Sequence, residues 1–174
     1  MGAKFEFSED ELRVWRHDGD IQPRNVEVSP APGFVPDWQS LAVLLLTQAN
    51  GESTVHDTVY VDKFGYCVDL NRMGAKIELV KPSESGILPV ISDDSYDFGE
   101  SGEPKTVAKI FGPSKLKAER LSVTDFRHTP ILILACLCAD GKSEIIGAEG
   151  IHYYFESFID KLKMLGAKIW EQQD

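Results

Sequence analysis

The chain has 174 residues, of which 43% are hydrophobic and 26% charged, a composition typical of a soluble globular protein with one domain or two small lobes. Its 28 acidic and 18 basic residues give a net charge of -10, which argues against nucleic acid or an anionic membrane as the main partner. No signal peptide is visible, and the longest apolar run, residues 130–139, is too short to span a bilayer. We therefore expect a cytoplasmic protein without a membrane partner.

Strands and helices alternate in the first part of the chain. Asp37 is a favoured N-cap ahead of the apolar run 41–46, which predicts a helix ended by Asn50-Gly51. A second helix is predicted over residues 67–73, stopped at Gly74. The predicted strands are residues 4–15 (with a turn), 26–28, 53–60 and 76–80.

The second part of the chain predicts a similar series after an acidic segment. Residues 81–104 are rich in Asp and Glu with scattered Gly and Pro, which predicts an exposed insertion or linker; a carboxylate metal site is the alternative, without EF-hand spacing. Helices are predicted from the Thr124-Asp125 cap to Ala139 and over residues 153–165. The predicted strands are 107–111, 144–148 and 167–170. Strands alternating with helices predict an α/β fold with helices covering one face of a sheet.

An internal repeat organises the chain. Two similar stretches, which we call the repeat bodies, begin at Asp37 and Asp125. They end in Gly74-Ala75-Lys76 and Gly166-Ala167-Lys168. We assign residues 1–80 to the first repeat unit with a preceding strand, and residues 105–174 to the second. A third copy of the ending, Gly2-Ala3-Lys4, has no body before it, so we expect the chain to be a piece of a longer array.

The candidate site residues lie at the N-terminal ends of the two repeat bodies. Asp37 and Asp125 are either helix caps or residues of an anion-binding helix terminus, and residue types alone leave both interpretations open. Arg127 lies in a first helical turn, against the macrodipole, where it offers a fork for a phosphate or carboxylate. The four histidines and three cysteines lack metal-ligand spacing, and Cys136-Leu137-Cys138 lies in an apolar run that predicts buried thiols.

Several stretches of this chain resemble the C-terminal part of the enolpyruvyl transferases, in the branch that acts on UDP-N-acetylglucosamine. They are Pro36-Asp37-Trp38-Gln39, residues 57–64, residues 71–75, Thr124-Asp125-Phe126-Arg127 and residues 160–167. The resemblance implies an inside-out α/β barrel of repeated βαβαββ units, of which this chain matches about two of six. The remaining units of the parent enzyme are then its partners.

The resemblance also implies a reaction and site residues. The family transfers enolpyruvyl from phosphoenolpyruvate to the 3-hydroxyl of UDP-N-acetylglucosamine, the first committed step of peptidoglycan synthesis, without metal or organic cofactor. Asp37 matches the substrate-binding general base, and Asp125 with Arg127 matches the Asp-Leu-Arg pair beside the reacting group. Val59 matches a backbone contact to the nucleotide-sugar, and Lys63 is a substrate-binding cation.

The chain departs from the family at several positions. Val61-Asp62-Lys63-Phe64 replaces the usual Glu-Asn-Arg-Phe, and Ser157 stands where the family has a phosphate-binding arginine. The loop with the reactive cysteine has no counterpart. We therefore expect the isolated chain to be inactive. The alternatives are a stand-alone, non-catalytic nucleotide-sugar-binding module and a part of 5-enolpyruvylshikimate-3-phosphate synthase.

Overall fold

The computed structural model describes residues 1–16, 19–92, 94 and 96–172 of the chain. The strands are β1 (Ala3–Phe7), β2 (Leu12–Arg16), β3 (Asn25–Val28), β4 (Gly51–Asp57), β5 (Ile77–Val80), β6 (Val107–Gly112), β7 (Arg120–Ser122) and β8 (Glu144–Ile146). The helices are α1 (Gln39–Leu46), α2 (Cys67–Arg72), α3 (Phe98–Ser101), α4 (Thr129–Cys138), α5 (Ile151–Tyr154) and α6 (Phe158–Met164). The predicted α/β class is confirmed. None of the helices in these ranges combines the length and apolarity needed to cross a membrane.

The chain divides into two compact units that we describe separately. Unit 1 comprises residues 1–64 and 75–114, and unit 2 comprises residues 65–74 and 115–174. These bounds do not test the repeat boundaries assigned from the sequence, which stay a prediction.

A four-stranded sheet in the order β3-β4-β6-β5 forms the centre of unit 1. Strands β3 and β4 run parallel, whereas β6 is antiparallel to both β4 and β5. Helix α1 packs against β4 and β6. Apart from the four-residue helix α3 between β5 and β6, the chain order β3-α1-β4-α2-β5-β6 is the βαβαββ order that the resemblance implies.

The core of unit 1 lies between this sheet and α1. Val55 of β4 and Ile110 of β6 are fully buried, as are Val43 and Leu46 of the helix. Burial of each such side chain contributes about 1.5–3 kcal/mol. Gly112 ends β6 where a Cβ atom would lie 2.4 Å from the carbonyl oxygen of Ala49, so only glycine lets the two backbones approach this closely.

Unit 2 has a smaller sheet. Strands β7 and β8 form a parallel pair, and a hydrophobic cluster of Ile133, Ile151 and Ile159 packs with Ile145 of β8. Strand β7 was missed by the sequence analysis. Its three residues are too few to give a pattern of alternation.

Two sequence predictions in unit 2 are wrong. The helix expected over 153–165 is interrupted between α5 and α6, where Ser157 adopts a left-handed conformation with φ of 52°. The aromatic run Tyr153-Tyr154-Phe155 has low helix propensity, which favours the break. The strand expected over 167–170 is not formed, because a strand needs a hydrogen-bonding neighbour and none of the described residues supplies one there.

The thiols differ in burial more than expected. Cys67 is buried and Cys136 half-buried, whereas Cys138 is exposed, so the prediction of buried thiols is wrong for Cys138. Burial raises the pKa of Cys67 to about 12. We expect one fast-reacting thiol in the native protein in a colorimetric thiol assay, lost in Cys138→Ser, with Cys67 reacting only after denaturation. Loss of the fast phase in Cys67→Ser would contradict this.

His56 on β4 makes unit 1 sensitive to acid. Its side chain is buried, and within the described part of the chain its Nε2 has no hydrogen-bond partner. Desolvation by burial lowers the pKa of His56 below 6.5, although Glu27 and Asp57 act in the opposite direction. Below that pH the unfolded chain binds more protons than the folded one, so stability falls as the solution is acidified.

We expect the urea midpoint to drop between pH 7.5 and pH 5.5 in the wild-type chain, with a smaller drop in His56→Leu. The matched control is His152→Gln, since His152 is exposed. The explanation fails if His56→Leu retains the full pH dependence of the wild-type chain.

Candidate functional site

Asp37 lies in a 3-10 turn, Pro36–Trp38, that leads directly into α1. The turn is entered from Val35 without a side-chain cap, so the predicted N-cap role of Asp37 is wrong. Pro36 occupies the first position of the turn, where the missing backbone N–H of proline leaves no donor unpaired. Asp37 is therefore the second residue of the turn and not the residue that precedes it. The Asp37 side chain is exposed, beside a Trp38 ring that is itself 55% exposed.

A buried carboxylate, Asp57, organises the loop after β4. Its Oδ2 accepts a hydrogen bond of 2.7 Å from Nε2 of Gln39, and its Oδ1 accepts from the backbone N–H groups of Val59 at 2.8 Å and Tyr60 at 2.9 Å. Asp57 and Gln39 are both essentially inaccessible to solvent. The network therefore fixes the first residue of α1, next to the Asp37 turn, against the loop 57–60.

The two other predicted residues of unit 1 lie on or after this loop. Because the N–H of Val59 donates to Asp57, a ligand contact from the Val59 backbone would use its carbonyl oxygen. The Nζ atom of Lys63 lies 4.6 Å from the centre of the Tyr60 ring, a cation–π contact that holds the ammonium near the loop.

Asp125 and Arg127 form a compact ion pair in unit 2. Asp125 caps the 3-10 turn Phe126–His128 by accepting from the N–H of Arg127 at 3.0 Å, which confirms the predicted cap. The guanidinium also donates to the carboxylate, with Nε 2.9 Å and Nη2 2.6 Å from Oδ2. This hydrogen bonding lowers the pKa of Asp125 to about 2. The two charges largely neutralise each other.

Aromatic contacts hold this turn in place. The Phe126 ring stacks on Tyr154 with centroids 4.3 Å apart, and Tyr66 meets the His128 ring edge to face at 5.6 Å. Gly65 lies so close to His128 that a Cβ atom there would be 2.8 Å from its Cε1. These contacts were not predicted from the sequence. The one signal for them in the sequence was the aromatic character of the residues.

The predicted site residues thus fall into two groups. Asp37, Val59 and Lys63 are in unit 1, connected through the Asp57 network, and Asp125 pairs with Arg127 in unit 2. Ser157, where the family has arginine, is the left-handed residue before α6. Across the described ranges, no three His, Cys, Asp or Glu side chains are placed to hold a metal ion. Asp93 of the acidic segment lies outside those ranges.

The chain is similar in sequence to known enzymes. It is 33% identical over 169 residues to UDP-N-acetylglucosamine 1-carboxyvinyltransferase 1 of Staphylococcus aureus (strain bovine RF122 / ET3-1), covering 97% of this chain and 34% of that protein. It is 32% identical over 173 residues to UDP-N-acetylglucosamine 1-carboxyvinyltransferase 2 of Bacillus subtilis (strain 168), covering 99% of this chain and 35% of that protein. The chain therefore spans about one third of the length of these relatives. No profile of a known protein family matches it.

A solved structure has the same fold. The enolpyruvyl transferase NikO from Streptomyces tendae superposes with a TM-score of 0.74 and 20% sequence identity, over 97% of this chain and 33% of NikO. The predicted enolpyruvyl transferase fold is confirmed by this match.

Proposed function

We propose that this chain forms part of the active site of a UDP-N-acetylglucosamine 1-carboxyvinyltransferase, because it aligns with about one third of the length of such enzymes. The whole enzyme would transfer enolpyruvyl from phosphoenolpyruvate to the 3-hydroxyl of UDP-N-acetylglucosamine in cytoplasmic peptidoglycan precursor synthesis. The observation that carries the proposal is Asp37, an exposed carboxylate in a turn joined to the buried Asp57 network.

Asp37 is the general base of this proposal. A sugar hydroxyl that attacks the enol carbon must lose its proton, and a carboxylate within hydrogen-bond reach can take it. Gln39, bonded to Asp57, fixes the residue at which the Asp37 turn enters α1, which limits the positions open to the carboxylate. Val59 and Lys63, anchored to Asp57 and Tyr60, offer a carbonyl oxygen and an ammonium to the nucleotide-sugar.

Asp125 and Arg127 have a positioning and electrostatic role rather than an acid–base role. With a pKa of about 2, Asp125 is ionised at neutral pH and cannot donate a proton. It holds the Arg127 guanidinium through two nitrogens, which fixes this cation at the start of the turn, where it would act on the negative charge of the enolpyruvyl donor.

One observation favours a second candidate, a non-catalytic nucleotide-sugar-binding module. Ser157 cannot supply the charge of the family's phosphate-binding arginine, which weakens the case for phosphoenolpyruvate binding but leaves the Asp37 region unaffected. Both candidates predict binding of UDP-N-acetylglucosamine to the first group of residues.

The test of nucleotide-sugar binding is an amide and indole NMR titration of the chain. We expect UDP-N-acetylglucosamine to bind weakly and to shift the signals of Trp38 and residues 57–63, whereas phosphoenolpyruvate alone shifts none of them. Asp37→Asn should reduce the shifts. Saturating shifts confined to other residues, or no shifts at the highest ligand concentration, would refute the assignment.

A further inference from the structure

A histidine of unit 2 lies directly against the Asp125–Arg127 pair. The Nε2 atom of His128 is 3.8 Å from Oδ2 of Asp125, the oxygen that also accepts hydrogen bonds from Nε and Nη2 of Arg127. All three side chains reach the surface, with 17% of His128, 24% of Asp125 and 47% of Arg127 exposed. One carboxylate oxygen therefore lies beside both a guanidinium and an imidazole, close to solvent.

The position of this imidazole is fixed by its neighbours. The buried Tyr66 meets the ring edge to face with centroids 5.6 Å apart, and its side chain is a phenol, a group that is uncharged at neutral pH. Gly65 leaves the space that the ring occupies, since a Cβ atom there would lie 2.8 Å from Cε1 of His128. Gly65 does not have the left-handed backbone that usually calls for glycine, so the ring itself is what excludes a side chain there.

The charged groups around the ring determine what its protonation does. Asp125 and Arg127 face it from its own turn, and Asp125 stays ionised in mild acid because its pKa is about 2. On the neighbouring helix α2, Asp69 and Arg72 form an ion pair with each other at 3.3 Å. Helix α4, which follows His128, contains no acidic or basic side chain. Among these groups, His128 is therefore the one whose charge changes between pH 5.5 and pH 7.5.

We propose that His128 is a third residue of the anion-binding part of the site, and that its protonation changes the neutral Asp125–Arg127 pair into a cationic cluster that binds the enolpyruvyl donor. The identity of the donor rests on the proposed function. With a neutral imidazole, the carboxylate cancels the guanidinium. With a protonated imidazole, two cations share one carboxylate, and one net positive charge remains to attract the phosphate or carboxylate of phosphoenolpyruvate. Donor binding is then stronger when His128 is protonated.

The second cation has a use in this chain because of Ser157. The resemblance places a phosphate-binding arginine at this position, and serine cannot carry its charge. The segment that leads to Ser157 packs on the same turn as His128, since the Phe126 ring stacks on Tyr154 with centroids 4.3 Å apart. A protonated His128 supplies a charge beside Arg127, so the anion site does not depend on the guanidinium alone.

The first test uses sulfate, because its charge is constant between pH 5.5 and pH 7.5. NMR signals of residues 125–129 in the complete chain report its binding. We expect the sulfate affinity of the wild-type chain to rise by about fivefold or more from pH 7.5 to pH 5.5, since an added unit charge attracts a nearby dianion. His128→Gln should remove most of this rise. His128→Lys, with a permanent charge, should bind sulfate similarly at both pH values.

His152→Gln is the matched control, because His152 is an exposed histidine of the same unit that pairs with Glu171. This variant should keep the full rise in sulfate affinity. An equal rise in His128→Gln and His152→Gln overturns the proposal, as does the absence of sulfate binding at residues 125–129 at both pH values.

A measurement on the wild-type chain needs no variant and decides the question even if His128→Gln does not fold. Sulfate that prefers the protonated cluster must, by linkage, favour protonation of His128. Replacing chloride by sulfate at constant ionic strength should therefore raise the pH midpoint at which the His128 ring signals titrate. The midpoint of His152 should stay in place. An unchanged midpoint for His128 contradicts the proposal.

Phosphoenolpyruvate then tests the assignment to the donor. At pH 5.5 it should shift the same signals of residues 125–129 and compete with sulfate, with weaker competition in His128→Gln. Sulfate binding that phosphoenolpyruvate does not displace overturns the donor assignment. Failure of the proposed function is distinguishable from this outcome, because it shows as the absence of UDP-N-acetylglucosamine shifts at Trp38 and residues 57–63 and leaves the sulfate results as they are.

Discussion

Replacing Asp57 with alanine is expected to lower the free energy of unfolding of unit 1 by about 3–5 kcal/mol. The substitution removes the acceptor of three hydrogen bonds, which come from the Gln39 amide and from the N–H groups of Val59 and Tyr60. An unsatisfied buried donor costs about 1–3 kcal/mol. Urea denaturation followed by circular dichroism measures the loss.

Asp62→Ala is the matched control for this prediction. Asp62 belongs to the segment that follows the loop but is exposed, so its replacement should change stability by no more than about 0.5 kcal/mol. Asp57→Asn should fall between the two, because the neutral amide keeps one oxygen acceptor but adds two donors. Equal urea midpoints for Asp57→Ala and Asp62→Ala would show that the network does not stabilise the unit.

The second large effect concerns Asp37 in a complete enzyme. In a chimera, this chain replaces the matching third of the Staphylococcus aureus relative. There, Asp37→Asn should lower kcat by about 10²–10⁴-fold, the usual contribution of a general base. Thermal unfolding of the chimera should stay unchanged, because the Asp37 side chain is exposed. The measurement is phosphate release with both substrates.

Glu78→Gln provides the control, since Glu78 is an exposed carboxylate on β5 and has no proposed role in the reaction. Its kcat should equal that of the unmodified chimera. If Asp37→Asn and Glu78→Gln have the same kcat, Asp37 is not the base.

The sequence predicted the order of elements well where local signals are strong. The strands around Val26–Val28, Ser53–Tyr60 and Val107–Phe111 were found because β-branched residues cluster between turn residues. The Gly-Ala-Lys repeat also identified β1 and β5 as equivalent. The strand that the same repeat predicted over residues 167–170 is not formed, because this local sequence forms a strand only where a neighbouring strand accepts its hydrogen bonds.

The candidate site was predictable in part. Asp125 capping its turn follows from spacing alone, since its carboxylate reaches an amide two residues later. The Asp57–Gln39 bond was not predictable, because it joins residues 18 positions apart that meet only after α1 packs on the sheet. Asp37 and Asp125 looked equivalent in sequence, yet only Asp125 caps a turn.

Enolpyruvyl transfer by the chimera tests the central claim most directly. We predict that the chimera, with this chain supplying Asp37, Asp125 and Arg127, releases phosphate only when UDP-N-acetylglucosamine and phosphoenolpyruvate are both present. A folded chimera that binds UDP-N-acetylglucosamine but releases no phosphate would contradict it, and would instead support the non-catalytic binding module.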